Sequence, residues 1–173
     1  DVYKRQTFDS GTPVDVVGLS SGVASVATGG EFSCALMSAG GVKCWGEGAL
    51  GSDSIFSSPT PLDVAGLTDV RAITAGLDFA CVLTNANGVK CWGRNLHGQL
   101  GDGSTFDSPT PVDVVGLTSN VDSITAGDLH ACAIITGGGA KCWGLNSQGR
   151  LGNGNEISQS TPVDVIGLAS GVD

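Results

Sequence analysis

The feature that most constrains this chain is its self-similarity. Lys43-Cys44-Trp45-Gly46 returns as Lys90-Cys91-Trp92-Gly93 and as Lys141-Cys142-Trp143-Gly144, at spacings of 47 and 51 residues. Thr12-Pro13 returns as Thr60-Pro61, Thr110-Pro111 and Thr161-Pro162, and Gly18-Leu19 as Gly66-Leu67, Gly116-Leu117 and Gly167-Leu168. Cys34, Cys81 and Cys132 each stand ten positions before the cysteine of the nearest Lys-Cys-Trp-Gly. Unlike markers that hold one phase define a true repeat, and a period near 50 residues means units that bury their apolar faces against one another. The copies differ in length within loops, where insertions and deletions cost least. Gly46 to Thr60 is 14 positions, whereas Gly93 to Thr110 and Gly144 to Thr161 are both 17, so the first complete unit lacks three residues of its long loop.

Each unit reads as four short strands. Val70-Arg71-Ala72-Ile73-Thr74-Ala75 is rich in β-branched residues and ends at Gly76. The segments 79–84 and 89–93 flank Asn85-Ala86-Asn87-Gly88, a turn-rich linker of hairpin length. After a glycine-rich loop, 111–115 reads as a fourth strand entered through proline. Glycine, at 28 of 173 residues, and the β-branched content both oppose sustained helix. The expected fold is all-β, with propeller blades of four antiparallel strands: about three full blades and two partial ones. Residues 1–6 match no repeat position and read as a non-native or assembly remnant. Residues 7–22 read as the last strand of a preceding blade, at 12–17, with its linker. Repeats 1, 2 and 3 occupy 23–69, 70–120 and 121–171, and 172–173 begins a further one. With no polar cap at either end, the expectation is a window from a longer array.

Charge and motifs exclude several functions. A net charge of −9 with only 8 Lys and Arg argues against nucleic acid as a partner, since that affinity rests on neutralising phosphates. No apolar run reaches the length of a membrane span. There is no Gly-x-Ser-x-Gly elbow and no phosphate-binding glycine loop, and no nucleophile recurs beside His130. Neither a catalytic residue nor a cofactor is expected. Gly101-Asp102-Gly103-Ser104 and Gly152-Asn153-Gly154-Asn155-Glu156 lack the ligand count of a calcium loop and read as turns.

The Gly-His and Trp-Asp pairs of WD repeats are absent, and the single tyrosine rules out the kelch pattern. Ala126-Gly127-Asp128-Leu129-His130 leading into Cys132, Lys141-Cys142-Trp143-Gly144-Leu145-Asn146, and above all the run from Trp92 through Asn95, His97, Gly98, Gln99 and Leu100 to Gly103 resemble the regulator of chromosome condensation repeat. The resemblance covers about residues 10 to 173. It implies a seven-bladed propeller of which this chain supplies about half. It also implies protein binding through loops at one end of the ring, as in secreted members, one branch of which inhibits β-lactamases. Two departures stand out. Glu47-Gly48-Ala49-Leu50 lacks the Asn and Gln of the other loops, and the histidine kept at His130 is Phe32 and Phe79 elsewhere. Tryptophans that mark the photoreceptor branch are replaced by Gly30, Leu77 and Asp128, so light sensing is not supported.

The cysteines form three Cys-x9-Cys pairs, Cys34/Cys44, Cys81/Cys91 and Cys132/Cys142. A separation of ten is compatible with directly opposed positions across a three- or five-residue loop, within reach of a disulfide. Buried thiols and a metal site are the alternatives, the latter disfavoured because no Cys-x2-Cys occurs. Disulfides imply an oxidising compartment, hence an extracellular or cell-surface location. Trp45, Trp92 and Trp143 are expected to pack between blades. Lys43, Lys90 and Lys141, with Asp15, Asp63, Asp113 and Asp164, are expected at the solvent side, and His130 to hydrogen-bond within its blade. Loop positions that vary between units are the candidate binding residues: Glu31, Phe32, Asp78, Phe79, Asp128, Leu129, Arg94, His97 and Arg150. The leading function is a non-enzymatic, exported protein-recognition scaffold. An intracellular GTPase or chromatin regulator of the same repeat family, and a propeller-based lyase or hydrolase with its site elsewhere, are the alternatives.

Overall fold

Alternating side chains in short extended segments, broken at glycines and Asn-rich turns, fold this chain into twelve strands, seen in a computed structural model that describes residues 11–53 and 56–171. The first sheet holds β1 (Val23–Thr28), β2 (Phe32–Met37), β3 (Val42–Glu47) and β4 (Ser57–Asp63). The second holds β5 (Val70–Ala75), β6 (Phe79–Thr84), β7 (Val89–Gly93) and β8 (Ser108–Asp113). The third holds β9 (Val121–Ala126), β10 (His130–Ile135), β11 (Gly139–Gly144) and β12 (Gln159–Asp164). Every sheet is an antiparallel meander in chain order. The sheets stack through their first strands, β1 against β5 and β5 against β9. Three four-stranded blades packed in this way are part of a β-propeller. Among the described residues the helical structure is one 3-10 turn, Ser147–Gly149.

Burial follows strand parity. All six residues of β6 are buried, because the middle blade is covered on both faces. Ala80, Val82 and Trp92 pack toward blade 1, against Phe32, Cys34, Leu36, Val42 and Cys44. Phe79, Cys81, Leu83, Val89 and Cys91 pack toward blade 3, against Ala131, Ala133 and Trp143. A one-residue slip would exchange the two sets, so register is tightly fixed. The paired cysteines are direct cross-strand partners, Cys34 with Cys44, Cys81 with Cys91 and Cys132 with Cys142. All three are disulfides, with Cα atoms 4.0–4.1 Å apart. Each bridge lies on the face opposite to the neighbouring tryptophan.

Two strand expectations change. The fourth strand of the second blade runs Ser108–Asp113, not 111–115. Cys91 pairs with Val112 and Gly93 with Ser108, so two extra residues bulge between them and carry Pro109 and Pro111. An outer strand with a bulge tolerates residues that have no N–H to give to the ladder. The second change concerns 12–17, which forms no strand. A fourth strand is held by the third strand of its own sheet, as β4 is by β3 and β8 by β7. Residues 1–6 and 172–173, read above as a remnant and as the start of a further repeat, lie outside the described residues.

Candidate functional site

The loops between third and fourth strands of blades 2 and 3 carry a dense polar network. Asn95 is fully buried, and its Nδ2 donates to Asp102 Oδ1, Ser104 O and Phe106 O at 3.1–3.2 Å. Its Oδ1 accepts from Leu100 N at 2.9 Å. Asn146 does the same in blade 3, donating to Asn153 Oδ1, Asn155 O and Ile157 O and accepting from Leu151 N. A buried amide that meets all its obligations in this way fixes a loop that has no ladder of its own. Blade 1 has no such asparagine; there the carbonyl of Phe56 accepts from Gly48 N at 2.9 Å.

The three carbonyls held in these loops belong to corresponding residues. Phe56, Phe106 and Ile157 each stand four positions before the threonine of Thr-Pro. Their side chains are 66%, 81% and 70% exposed. One large apolar side chain thus stands exposed in the same repeat phase of each blade, anchored through its own backbone. Sequence reading missed it. The signal was an apolar residue recurring in phase within loops that are otherwise polar.

The seams between blades differ. In both, the tryptophan of the later blade donates from Nε1 to a loop carbonyl of the earlier one: Trp92 to Ala49 O at 3.0 Å and Trp143 to Gln99 O at 2.9 Å. That pairing aligns Ala49 with Gln99 and places the three-residue deletion between Gly46 and Ala49. In the seam between blades 2 and 3, the turn through Asn95, Leu96, His97 and Gly98 lies on the next blade. Gly98, at φ +80°, approaches the Ser160 backbone so closely that a Cβ would collide with it, and Gly103 N donates to Ser160 O at 2.9 Å. In the seam between blades 1 and 2 that turn is missing. Gly48 faces open space, and Pro109, the counterpart of Ser160, has no such turn packed on it and lines a cleft instead. A cleft of about 530 Å³ results, lined by Glu31, Glu47, Ala49, Phe56, Asp78, Arg94, Asp107 and Pro109.

Of the residues expected to bind, Glu31, Asp78 and Arg94 meet in this cleft, with Arg94 Nε 4.0 Å from Asp78 Oδ2. Asp128 and Arg150 are exposed, and Leu129 and His97 half-buried. Phe32 and Phe79 are corrections. They are 3% and 0% exposed, and their rings lie against Gly29 and Gly76, where any Cβ would strike the ring. His130 stacks on Gly127 in the same way. The recurring Gly-x-x-aromatic spacing is therefore a packing requirement, not a contact surface. His130 departs from expectation as well, since its Nδ1 is buried without a hydrogen-bond partner. Burial lowers its pKa below the ordinary 6.5, Arg150 adds to that, and Asp128 partly opposes it.

The recurring charges pair with each other. Lys43–Asp63, Lys90–Asp113 and Lys141–Asp164 are ion pairs at 2.6–2.7 Å between third and fourth strands. Exposed pairs of this kind are worth ~0.5 kcal/mol each and leave no free basic stripe for an acidic ligand. Trp92 and Trp143 are fully buried, whereas Trp45, on the outer face of blade 1, is half-buried. Near the axis Gly30 N donates to Leu77 O and Leu77 N to Asp128 O, both at 2.8 Å. The corresponding residues of successive blades are thus linked backbone to backbone.

The pattern of the regulator of chromosome condensation (RCC1) repeat matches residues 23–52, 70–99 and 121–150, and a second pattern of that repeat matches 89–134 and 142–172. No curated protein sequence matches the chain. Among solved structures, human WBSCR16 is 27% identical with a TM-score of 0.75, over 87% of this chain and 41% of that protein. Yeast RCC1 (Prp20) bound to Kap60 is 21% identical with a TM-score of 0.73, over 83% of this chain and 37% of that one. Prp20p from Saccharomyces cerevisiae, described with its binding to Gsp1p and histones, gives 21%, 0.72, 83% and 38% in the same order. The chain thus spans about two fifths of the length of these proteins.

Proposed function

This chain belongs to the regulator of chromosome condensation repeat family, and from that premise we propose that it is a non-enzymatic protein-recognition scaffold, working outside the cell or on its surface. The observation that carries this reading is the row of Phe56, Phe106 and Ile157, exposed in one repeat phase on loops whose backbones are fixed. Side chains held out in water at that spacing cost solvation and return it only when a partner covers them. Fixed loops also lose little entropy on binding, which suits a docking surface. Binding of proteins by a related fold, as yeast Prp20p is described to do with Gsp1p and histones, is consistent with this use. Three cross-strand disulfides, which the reducing cytosol would not maintain, support the oxidising location proposed here.

The test compares the unaltered chain with one carrying Phe56→Ser, Phe106→Ser and Ile157→Ser as bait on proteins from its native source. A partner retained by the first and lost by the second, with equal melting temperatures, supports the scaffold. Equal capture by both contradicts it. Thiol labelling of the native protein under denaturing, non-reducing conditions tests the location separately. No labelled cysteine is the expected result, and six labelled cysteines would remove the argument for export.

A further inference from the structure

We propose that the cleft between blades 1 and 2 docks a segment of a partner protein that presents a lysine or arginine beside an apolar side chain. The inference deepens the scaffold reading and rests on it. Four carboxylates, Glu31, Glu47, Asp78 and Asp107, line the cleft against one guanidinium, Arg94. Two of the four are already engaged. Asp107 Oδ1 accepts from Asn95 N at 2.8 Å, and Asp78 leans toward Arg94. Glu31 and Glu47 are exposed and enter no ion pair with Lys or Arg among the described residues, so their charge is uncompensated. Phe56, Ala49 and Pro109 supply an apolar wall within the same space.

Shape and charge together select the occupant. A concavity of about 530 Å³ is large enough for two or three side chains and falls in the range of ligand pockets. An acidic rim repels carboxylates and phosphates and favours a cation, while an aromatic face receives either an alkyl stem or the charge itself. A second copy of this acidic chain is a poor occupant, because its net charge of −9 meets the same sign. The cleft lies where the turn that covers Ser160 one seam later has been deleted. The partner's anchor takes the place that the Asn-Leu-His turn fills one blade later.

The test is a titration of the isotope-labelled full chain with acetyl-Leu-Arg-Phe-amide, followed through backbone amide shifts. Saturable shifts at Gly48, Gly93 and Arg94 are expected. A peptide with citrulline in place of arginine should bind about tenfold more weakly, and so should the arginine peptide to an E31Q/E47Q chain, since each removes a charge-assisted contact. Both substitutions are on exposed side chains, and an unchanged melting temperature confirms that the fold is intact. Phe56→Ser should weaken both peptides alike. Equal affinity for the citrulline peptide, undiminished binding to E31Q/E47Q, the same shifts with calcium chloride alone, shifts explained by self-association, or no saturable shift at millimolar peptide would each overturn the proposal. If the serine triple variant still loses its partner while E31Q/E47Q does not, the cleft assignment fails and the scaffold stands. If neither variant loses it, both fail.

Discussion

The seam between blades 1 and 2 and the seam between blades 2 and 3 begin from the same parts and end as different surfaces. Both bury a tryptophan whose indole donates to the preceding loop, and both carry a disulfide on the earlier blade's face. Blade 2 then sends a turn held by Asn95 over Ser160, whereas blade 1 closes its loop with Gly48, and Pro109 lines a cleft there. The difference teaches where a repeat protein keeps stability and where it keeps choice. Strand faces are constrained by two neighbours at once, so they repeat. Loops touch one neighbour at their tips, and three residues removed there open a cleft without disturbing a single strand pair.

The largest expected effect is at a seam tryptophan. Trp92→Ala removes a fully buried indole and its hydrogen bond and should cost about 4 kcal/mol in chemical denaturation. A loss below ~1 kcal/mol would mean that the seams are not what stabilises the stack. Next comes Asn95→Ala, which leaves the Phe106 carbonyl and the Leu100 amide without their partner and should cost about 3 kcal/mol. Its effect belongs to the second seam alone, so amide exchange should rise at Leu100 and Gly103 and remain unchanged at Leu50.

A smaller contrast separates the two glycines of the loops. Both hold positive φ, at +80° for Gly98 and +107° for Gly48, so alanine is strained at each. Only Gly98 also touches a neighbouring backbone. Gly98→Ala should therefore lose about 2 kcal/mol and Gly48→Ala ~1 kcal/mol, and the reverse order would deny that the longer turn rests on blade 3. The smallest effect is a pH dependence. His130 has a folded pKa below its unfolded value of 6.5, so the unfolded chain binds more protons. The stability tied to its neutral form is complete above pH 6.5 and is lost as pH falls through the lowered folded value. His130→Phe, the aromatic type found at Phe32 and Phe79, should flatten that acid slope in melting experiments. An unchanged slope would place the titration elsewhere.

Much of this architecture was legible in the sequence because the repeat markers are the contacts themselves. Gly76 is glycine because a ring covers it, Trp92 recurs because each seam needs an indole, and Cys81 and Cys91 stand ten apart because they face each other. Proline at 111 suggests a strand entry but sits in a bulge, so the fourth strand begins earlier, at Ser108. The site was harder to read. Glu31, Asp78 and Arg94 vary between units and do line the cleft, but the same criterion also selected Phe32 and Phe79, which face the core. Variation between copies cannot separate a ring packed on glycine from a side chain in water. The deletion was visible as missing length, yet its consequence depends on what the longer turn covers in the next blade, which no single unit displays.

The most direct test of the difference between the seams is to restore the missing turn. A chain with Asn-Leu-His inserted between Glu47 and Gly48 gives blade 1 the loop length of blade 2. Titrated with acetyl-Leu-Arg-Phe-amide, this folded variant should show no saturable shift at Gly93 and Arg94, with a melting temperature at or above that of the parent. Binding of the peptide with the parent's affinity, at those same amides, would contradict the claim that loop length decides which seam is open.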